Sequence, residues 1–405
     1  MTTRGRTIAF LAVSMLVFGR LSGLRELVMA GAAFVLVLVT GFVLVWVRGG
    51  RVRVQRTVAP TRTTVGRSVR VELGVDANGR LGLGPVLLAD KLPPEVGPSP
   101  RLALPGGQMF GTTRRQRAVA YWVAPRMRGR HPIGPLEVTH TDPFGAIRRR
   151  QDVAGTTPLV VYPSYEDVSV LPSAVQRLGI VRSSPNIGQG DEFYALRSYE
   201  EGDDLRKIHW PTSLKTGELV IRQEELLAEP RALLVLDTAA AKHRGTGADA
   251  SVEAAISACA AVGVLALHRR MRLEVVTNDG PLLRTRNPSQ DEFLEALAML
   301  KPSRGGIAKA LDRAERSRGR PALVVVFTPD LRRDEMRSIA LRARNSPAGA
   351  IVWIDAASFD PSGAKKQRTP APARTLLPFP LIALRAGQSF RQAWHTNVKD
   401  VALAR

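Results

Sequence analysis

The run ALLVLDTA, Ala232 to Ala239, is unbroken apolar sequence that ends in an acid and a hydroxyl. A strand with one wet face alternates apolar and polar residues, whereas a strand covered on both faces does not. The run therefore reads as a parallel strand inside an α/β sheet. RLEVVTND (Arg272 to Asp279), ALVVVFTPD (Ala322 to Asp330) and AIVWIDAA (Ala350 to Ala357) repeat the pattern downstream. Helical periods fall between them, at about Ala248 to Arg269, Gln290 to Leu300, Ile307 to Arg318 and Arg332 to Arg344. PLLRTR, after the second run, reads as an edge strand, and LIALRAGQSFRQAW as a last strand and helix beyond a Pro, Lys and Gly-rich loop from Phe359 to Ala373. Strands alternating with helices predict right-handed crossovers and a doubly wound sheet over residues 231–405. Ligands of such sheets sit beyond the carboxyl ends of the strands, which draws attention to Asp237 and Asp330.

Just before this region lies GDEFYALRSYEEGDDLRKIHWPTSLKTGELVIRQ, Gly190 to Gln223, within a connector over residues 164–230. It is acidic in a basic chain: Asp191, Glu192, Glu200, Glu201, Asp203, Asp204 and Glu218, followed by Glu224 and Glu225. Arg197, Arg206, Lys207, Lys215 and Arg222 are placed to pair with them, and Phe193, Tyr194, Tyr199 and Trp210 add large apolar surface. That mixture predicts a desolvated, ion-paired clamp between domains. Locally, Gly202 to Asp204 predicts a tight turn with Asp203 or Asp204 capping a short helix towards Ser213, Gly217 ending it, and LVIRQ entering the sheet. Pro211 costs any helix that runs through it a backbone bond.

Upstream, from Arg51 to Pro163, the period changes to two, as in VRVELGV (Val69 to Val75), AVAYWVAP (Ala118 to Pro125) and PLVVYP (Pro158 to Pro163). Gly and Pro clusters divide these runs, which predicts an antiparallel β-sandwich over residues 51–163. RMRGRHPIGP reads as a hairpin turn. DPFG, Asp142 to Gly145, reads as a tight turn in which Pro143 presets φ and Gly145 permits a positive one.

At the amino end, Leu27 to Val47 carries no charge and is long enough for the ~30 Å hydrocarbon core of a bilayer. Ile8 to Leu24 is apolar but for Arg20, and reads as the first arm of a transmembrane hairpin over residues 1–50. A cleaved signal peptide lacks support, because no small-x-small cleavage pattern is present. Arg4 and Arg6 before the hairpin and Arg48, Arg51, Arg53 and Arg56 after it predict that both ends, and the soluble domains, lie in the cytoplasm.

The chain has 405 residues and a formal net charge of +22. Nucleic acid is the first anionic partner such a charge suggests. The arginines, however, cluster next to the predicted membrane, where anionic lipid attracts them, and aromatics do not interleave with them. The lipid bilayer is therefore the expected partner and nucleic acid is not. The one cysteine, Cys259, excludes an intramolecular disulfide, and the six histidines show no metal-ligand spacing. No GxSxG, HExxH or Walker A pattern occurs, so the chain reads as no enzyme.

The connector and its flanks resemble the bacterial family called domain of unknown function 58. The resemblance rests on EF-x-x-LR-x-Y-x-x-GDD-x-R-x-IHW, here Glu192, Phe193, Leu196, Arg197, Tyr199, Gly202, Asp203, Asp204, Arg206, Ile208, His209 and Trp210, with RGRHPIGP, DPFG and VVYP upstream. Pro211 and Lys215 depart from the family's usual lysine and later arginine. The resemblance implies a multidomain chain: transmembrane hairpin, immunoglobulin-like β-sandwich, and a von Willebrand factor A-like α/β domain. It implies partnership with a MoxR-type AAA+ ATPase in complex assembly or cell-envelope processes, with the motif serving structure or partner binding. Domains of the von Willebrand type often bind a divalent metal through Asp-x-Ser-x-Ser with later Thr and Asp residues. Here Ala239 and Ala241 replace both hydroxyls, leaving Asp237, Thr238 and Asp330 as a vestigial set. No cofactor is expected, Mg²⁺ being the weak candidate, and capping of the following helices is the expected role of Asp237 and Asp330. A metal-dependent adhesion or catalytic module built on these acids and those of the connector is the alternative.

Overall fold

The computed structural model describes residues 1–400, leaving out 49–51, 78–85, 105–116, 173–193, 200–205, 207, 225–229, 286, 307–320, 331–334, 336–345, 347 and 361–378. The chain forms two compact units. One comprises Met1–Tyr165, Thr246–Ala260 and Asp291–Lys301, the other Glu166–Gly245, Ala261–Gln290 and Pro302–Arg405. The helices expected over 307–318 and 332–344 lie outside the described residues, Glu335 excepted.

The first unit begins with two apolar helices, α1 (Thr3–Ser22) and α2 (Arg25–Arg48), folded back on each other where Gly23 takes a φ of 73°. Both are long and apolar enough to cross a bilayer, and only 17% of each such stretch is buried, so most of their side chains face outward. The amino end of α1 is seated on the predicted DPFG turn. The Thr2 amide donates to the Ala146 carbonyl at 2.9 Å, and its hydroxyl donates to the Gly145 carbonyl at 2.6 Å. Gly5 lies against Ala146 so closely that a Cβ there would collide with the carbonyl oxygen. The turn itself is held by Asp142, whose carboxylate accepts from the Phe144 and Ile147 amides at 3.1 and 2.5 Å, and by Gly145 at φ 71°. Val45 of α2 packs with Ala146 and Ile147, and Arg149 lies over the Trp46 ring at 4.9 Å.

Strands follow: β1 (Val52–Ala59), β2 (Arg62–Thr64), β3 (Val69–Ala77), β4 (Val86–Asp90), β5 (Arg101–Leu104), β6 (Arg117–Val123), β7 (Gly129–Ile133), β8 (Leu136–Thr141), β9 (Arg148–Ala154) and β10 (Thr157–Tyr162). They pair as β1-β3-β6, β5-β4-β8-β9 and β2-β10-β7, antiparallel but for β2 with β10. Val69, Val71, Leu73 and Val75 point inward from β3 and meet Leu88, Leu136, Val138, Leu159 and Val161 in one core. The period-two reading of this region thus holds, with its strands in three small sheets. RMRGRHPIGP is not a hairpin turn. Its β7 pairs with β10 and its β8 with β4, because the chain changes sheets at Gly134 and Pro135.

A buried ion pair ties these sheets together. Arg56 of β1 holds both oxygens of Asp90 of β4, at 3.0 and 2.6 Å, and donates to the Ile133 and Gly155 carbonyls. The Tyr121 hydroxyl donates to Asp90 at 2.6 Å. Burial and the adjoining carboxylate both push this phenol well above the usual range, so it remains a donor.

In the second unit the connector forms β11 (Tyr194–Ser198), α3 (Trp210–Thr216) and β12 (Val220–Glu224). The sheet is built from β13 (Arg231–Leu236), α4 (Ser251–His268), β14 (Arg272–Thr277), β15 (Gly280–Pro281), α5 (Gln290–Met299), β16 (Leu323–Thr328), β17 (Ala348–Ile354), β18 (Leu381–Leu384) and α6 (Phe390–Asp400), the first ten residues of α4 and most of α5 grouping with the first unit. Strand order is β15-β14-β13-β16-β17-β18, all parallel except the edge strand β15. Every residue of β13, β16 and β17 is buried, as their unbroken apolar runs predict. α4 also has the length and composition of a membrane span, but 72% of it is buried, so it is a core helix.

Candidate functional site

Strand order β14-β13-β16 means that the chain winds away from β13 in opposite directions on its two sides. Such a switch leaves a crevice beyond the carboxyl ends of the two strands where they part. β13 runs into Asp237 and β16 ends in Thr328, and the Asp237 amide donates to the Phe327 carbonyl at 2.9 Å, locking the two ends in register. Asp237 is fully buried. A carboxylate is retained in such a place only if donors surround it.

They do. Oδ1 accepts from the Ala239 amide at 3.1 Å and from Asn278 Nδ2 at 2.9 Å. Oδ2 accepts from Lys242 Nζ and from the Thr328 hydroxyl, each at 3.0 Å. Asn278 is itself fixed, accepting from the Thr238 amide at 2.6 Å and donating to the Gly305 carbonyl at 2.9 Å. His243 Nε2 lies 2.8 Å from the Asp237 carbonyl. A turn closed by the Lys242 amide on the Ala239 carbonyl aims the lysine back into this cluster. There its ammonium reaches the two oxygens of buried Glu335 at 3.2 and 3.3 Å and the Asp330 carbonyl at 3.4 Å. Burial opposes its charge, but the charges and hydrogen bonds of Asp237 and Glu335 outweigh burial and hold its pKa above the ordinary lysine value.

Of the predicted set, then, Asp237 and Thr238 meet here and Asp330 contributes its backbone carbonyl. Asp237 does not cap a helix. Its side chain folds back on Ala239 in an Asx turn, and the next α-helix starts only at Ser251. Lys242, Asn278, His243 and Glu335 were not singled out in the sequence. Glu335 and Asn278 arrive from distant segments, whereas Lys242 and His243, in the loop that follows Asp237, lie within reach of a local reading.

A hard divalent cation asks for six or more oxygen ligands around open space. Ala239 and Ala241 offer no side-chain oxygen, and the ammonium of Lys242 stands among the oxygens that remain. The residues present do not fit a metal. Among the described residues no group of three or more His, Cys, Asp or Glu side chains is gathered for one.

The connector motif forms a small hairpin of its own. β11 pairs antiparallel with β12, matching Leu196 with Arg222 and Arg197 with Ile221, and stands apart from the six-stranded sheet that LVIRQ was expected to enter. The Tyr199 amide donates to the Leu219 carbonyl, and the His209 amide to the Val220 carbonyl, each at 2.8 Å. Ser213 is buried and its hydroxyl accepts from the Val220 amide at 2.9 Å, pinning α3 to β12. α3 ends as predicted at Gly217, φ 72°, whose amide donates to the Ser213 carbonyl. Its cap position is His209, with no side-chain cap, and Asp203 and Asp204, expected to cap a short helix, lie outside the described residues. His209 Nδ1 instead lies 2.8 Å from the Thr212 hydroxyl. Pro211 falls in the first turn, where the amide it lacks has no helical partner in any case, so it costs nothing.

Burial in the hairpin differs from the expectation. Ile208 is buried, but Arg206 is exposed and Trp210 is 58% exposed. Leu214, one turn further along α3, is 81% exposed, and Leu219 42%. Of the four aromatics expected to lie desolvated in a clamp, Trp210 is thus exposed and Tyr199 half-buried. Glu192, Phe193, Gly202, Asp203 and Asp204 of the motif lie outside the described residues, as do Asp191, Glu200, Glu201, Lys207 and Glu225.

Three uncharacterized proteins, one of Mycobacterium bovis and two of Mycobacterium tuberculosis, are each 29% identical to this chain over 180 residues. The match covers 42% of the chain and 56% of each relative, so it spans little more than half of their length. Residues 195–356, which run from the connector hairpin through β17 of the sheet, match the family described as protein of unknown function DUF58, the family to which the motif in the connector points.

Proposed function

We propose that the chain is a membrane-anchored, non-enzymatic binding protein, with its soluble part in the cytoplasm, that docks a protein partner through the connector hairpin. The observation that carries this reading is the exposed apolar surface of Trp210 and Leu214 on a helix that Ser213 fastens to β12, with exposed Leu219 in the turn that follows. A tryptophan held on a rigid element is the usual anchor of a protein interface, where its burial contributes ~2 kcal/mol or more. Arginines beside the hairpin ends support the orientation, and the bilayer is the second partner.

The resemblance of the motif makes a MoxR-type AAA+ ATPase the proposed protein partner, in complex assembly or cell-envelope processes. Catalysis or metal-dependent adhesion through Asp237 and Asp330 is the weaker reading, since Lys242 and Thr328 already engage the Asp237 carboxylate. The test uses the full chain in detergent micelles, immobilised and presented with a purified MoxR-type ATPase. Trp210→Ala with Leu214→Ala should weaken capture by a factor of about ten or more, on the scale of a lost hot spot, with Tm unchanged. Undiminished capture by the double variant would remove the hairpin as the docking surface.

A further inference from the structure

We propose that Lys242 is the resident cation of the sheet-edge site: its ammonium takes the place of a metal ion among the oxygens of Asp237, Glu335, Thr328 and Asp330. The argument starts from geometry. Oxygens from the ends of two neighbouring strands and from a distant segment converge on one point, and Nζ stands there at 3.0 to 3.4 Å from two carboxylates and a backbone carbonyl. Thr328 is the remaining polar neighbour, bridging Asp237 Oδ2 at 3.0 Å and the Asp330 carbonyl at 2.7 Å.

Two buried carboxylates close together repel, and neither tolerates desolvation without a compensating charge. A divalent ion is one solution and a lysine from the adjoining loop is another. The ammonium has three protons and the oxygens around it exceed three, so its donor capacity is fully used. With its side chain 13% exposed, Lys242 closes the solvent side of the cluster, while Asp237 behind it is fully buried. The charge that links the ends of β13 and β16 to Glu335 is therefore covalently attached and permanent, independent of divalent concentration. It also follows that the oxygens form a latent cation site which deletion of the lysine would uncover. This inference does not depend on the proposed partner, and its readout is thermal stability of the chain alone.

The experiment melts the full chain in detergent as wild type, as Lys242→Ala, and as Lys242→Met combined with Asp237→Asn, each with increasing MnCl₂ and with NaCl of matched ionic strength. The wild-type Tm should not respond to Mn²⁺ beyond the salt control. Lys242→Ala should melt lower by about 5 °C or more, the scale of a lost buried charge partner, and Mn²⁺ should restore it progressively, as binding to the folded state alone requires. The double variant, which removes one charge of each sign, should melt above Lys242→Ala and ignore Mn²⁺. A wild-type Tm raised by Mn²⁺, or a Lys242→Ala protein that Mn²⁺ leaves unrestored, overturns the proposal. If Lys242→Ala does not fold, the double variant decides: folding supports a purely electrostatic role, and failure to fold overturns it.

Discussion

Two buried carboxylates, Asp90 in the strand-rich unit and Asp237 in the sheet unit, solve the same problem with different partners. Both are essentially inaccessible and both hold a cation. Asp90 is met by a guanidinium whose other hydrogens go to backbone carbonyls, with side-chain exposures of 2% and 0% for the pair. The planar fork fits a carboxylate at both oxygens and fixes β1 against β4. Asp237 is met by an ammonium on a flexible stem that is part-exposed and shared with Glu335. The first arrangement is closed from within. The second lies at the crevice of the sheet, where a fold of this order offers room for a ligand, and it has spent that room on its own side chain. Position in the fold separates a structural pair from a site even when the chemistry is nearly the same.

That contrast is open to measurement, and the largest effect is expected at Arg56. Arg56→Ala leaves Asp90 buried with the neutral Tyr121 hydroxyl as its remaining side-chain donor among the described residues, and should cost about 3–5 kcal/mol in chemical denaturation. A loss under about 1 kcal/mol would mean that the pair behaves as a surface one and that the contrast is false. At the sheet edge, Thr328→Val keeps shape but removes the hydroxyl between Asp237 and Asp330. Lys242, Asn278 and the Ala239 amide still serve the carboxylate, so the expected cost is smaller, about 1–2 kcal/mol, read in the same assay. An equal or larger loss than that of Arg56→Ala would reverse the ranking.

The smallest expected effect is a pH dependence at His140. It is buried in β8 opposite Arg149 of β9, and burial first, then the arginine, lowers its pKa from the ordinary histidine value. The folded state binds that proton less tightly than the unfolded chain. Stability from this group is thus complete above about pH 6.5 and is lost as pH falls below it towards the folded pKa. His140→Gln should flatten the decline in Tm between about pH 7 and pH 5.5. A variant that follows the wild-type curve would show that other groups govern the acid limb.

What the sequence discloses follows the range of the interactions. Gly217 ends its helix, the DPFG turn closes on Gly145, and β13, β16 and β17 are the buried strands their apolar runs announce. Each of these depends on a few neighbouring residues. Pairing partners depend on the whole chain: nothing local in RMRGRHPIGP distinguishes a hairpin from a crossing between sheets, and nothing in LVIRQ tells which sheet it joins. The candidate site failed for the same reason. Asp237 was legible from its strand end, but its role is set by Asn278, Thr328 and Glu335, brought in by topology. Counting missing hydroxyls at Ala239 and Ala241 finds an incomplete metal site and cannot find the lysine that completes it.

The seat of α1 on the DPFG turn has a mechanical meaning. Thr2 and Gly5 grip Ala146 without an intervening linker, and α2 touches the same turn through Val45. In a bilayer, helices adjust to membrane thickness by tilting. Tilt of this pair must swing the turn, and with it β8 and β9, or else break the Thr2 bonds and slide Gly5 off the carbonyl. The joint is a stiff wrist rather than a tether, so any tilt of the two helices is passed directly to the strands that carry the turn.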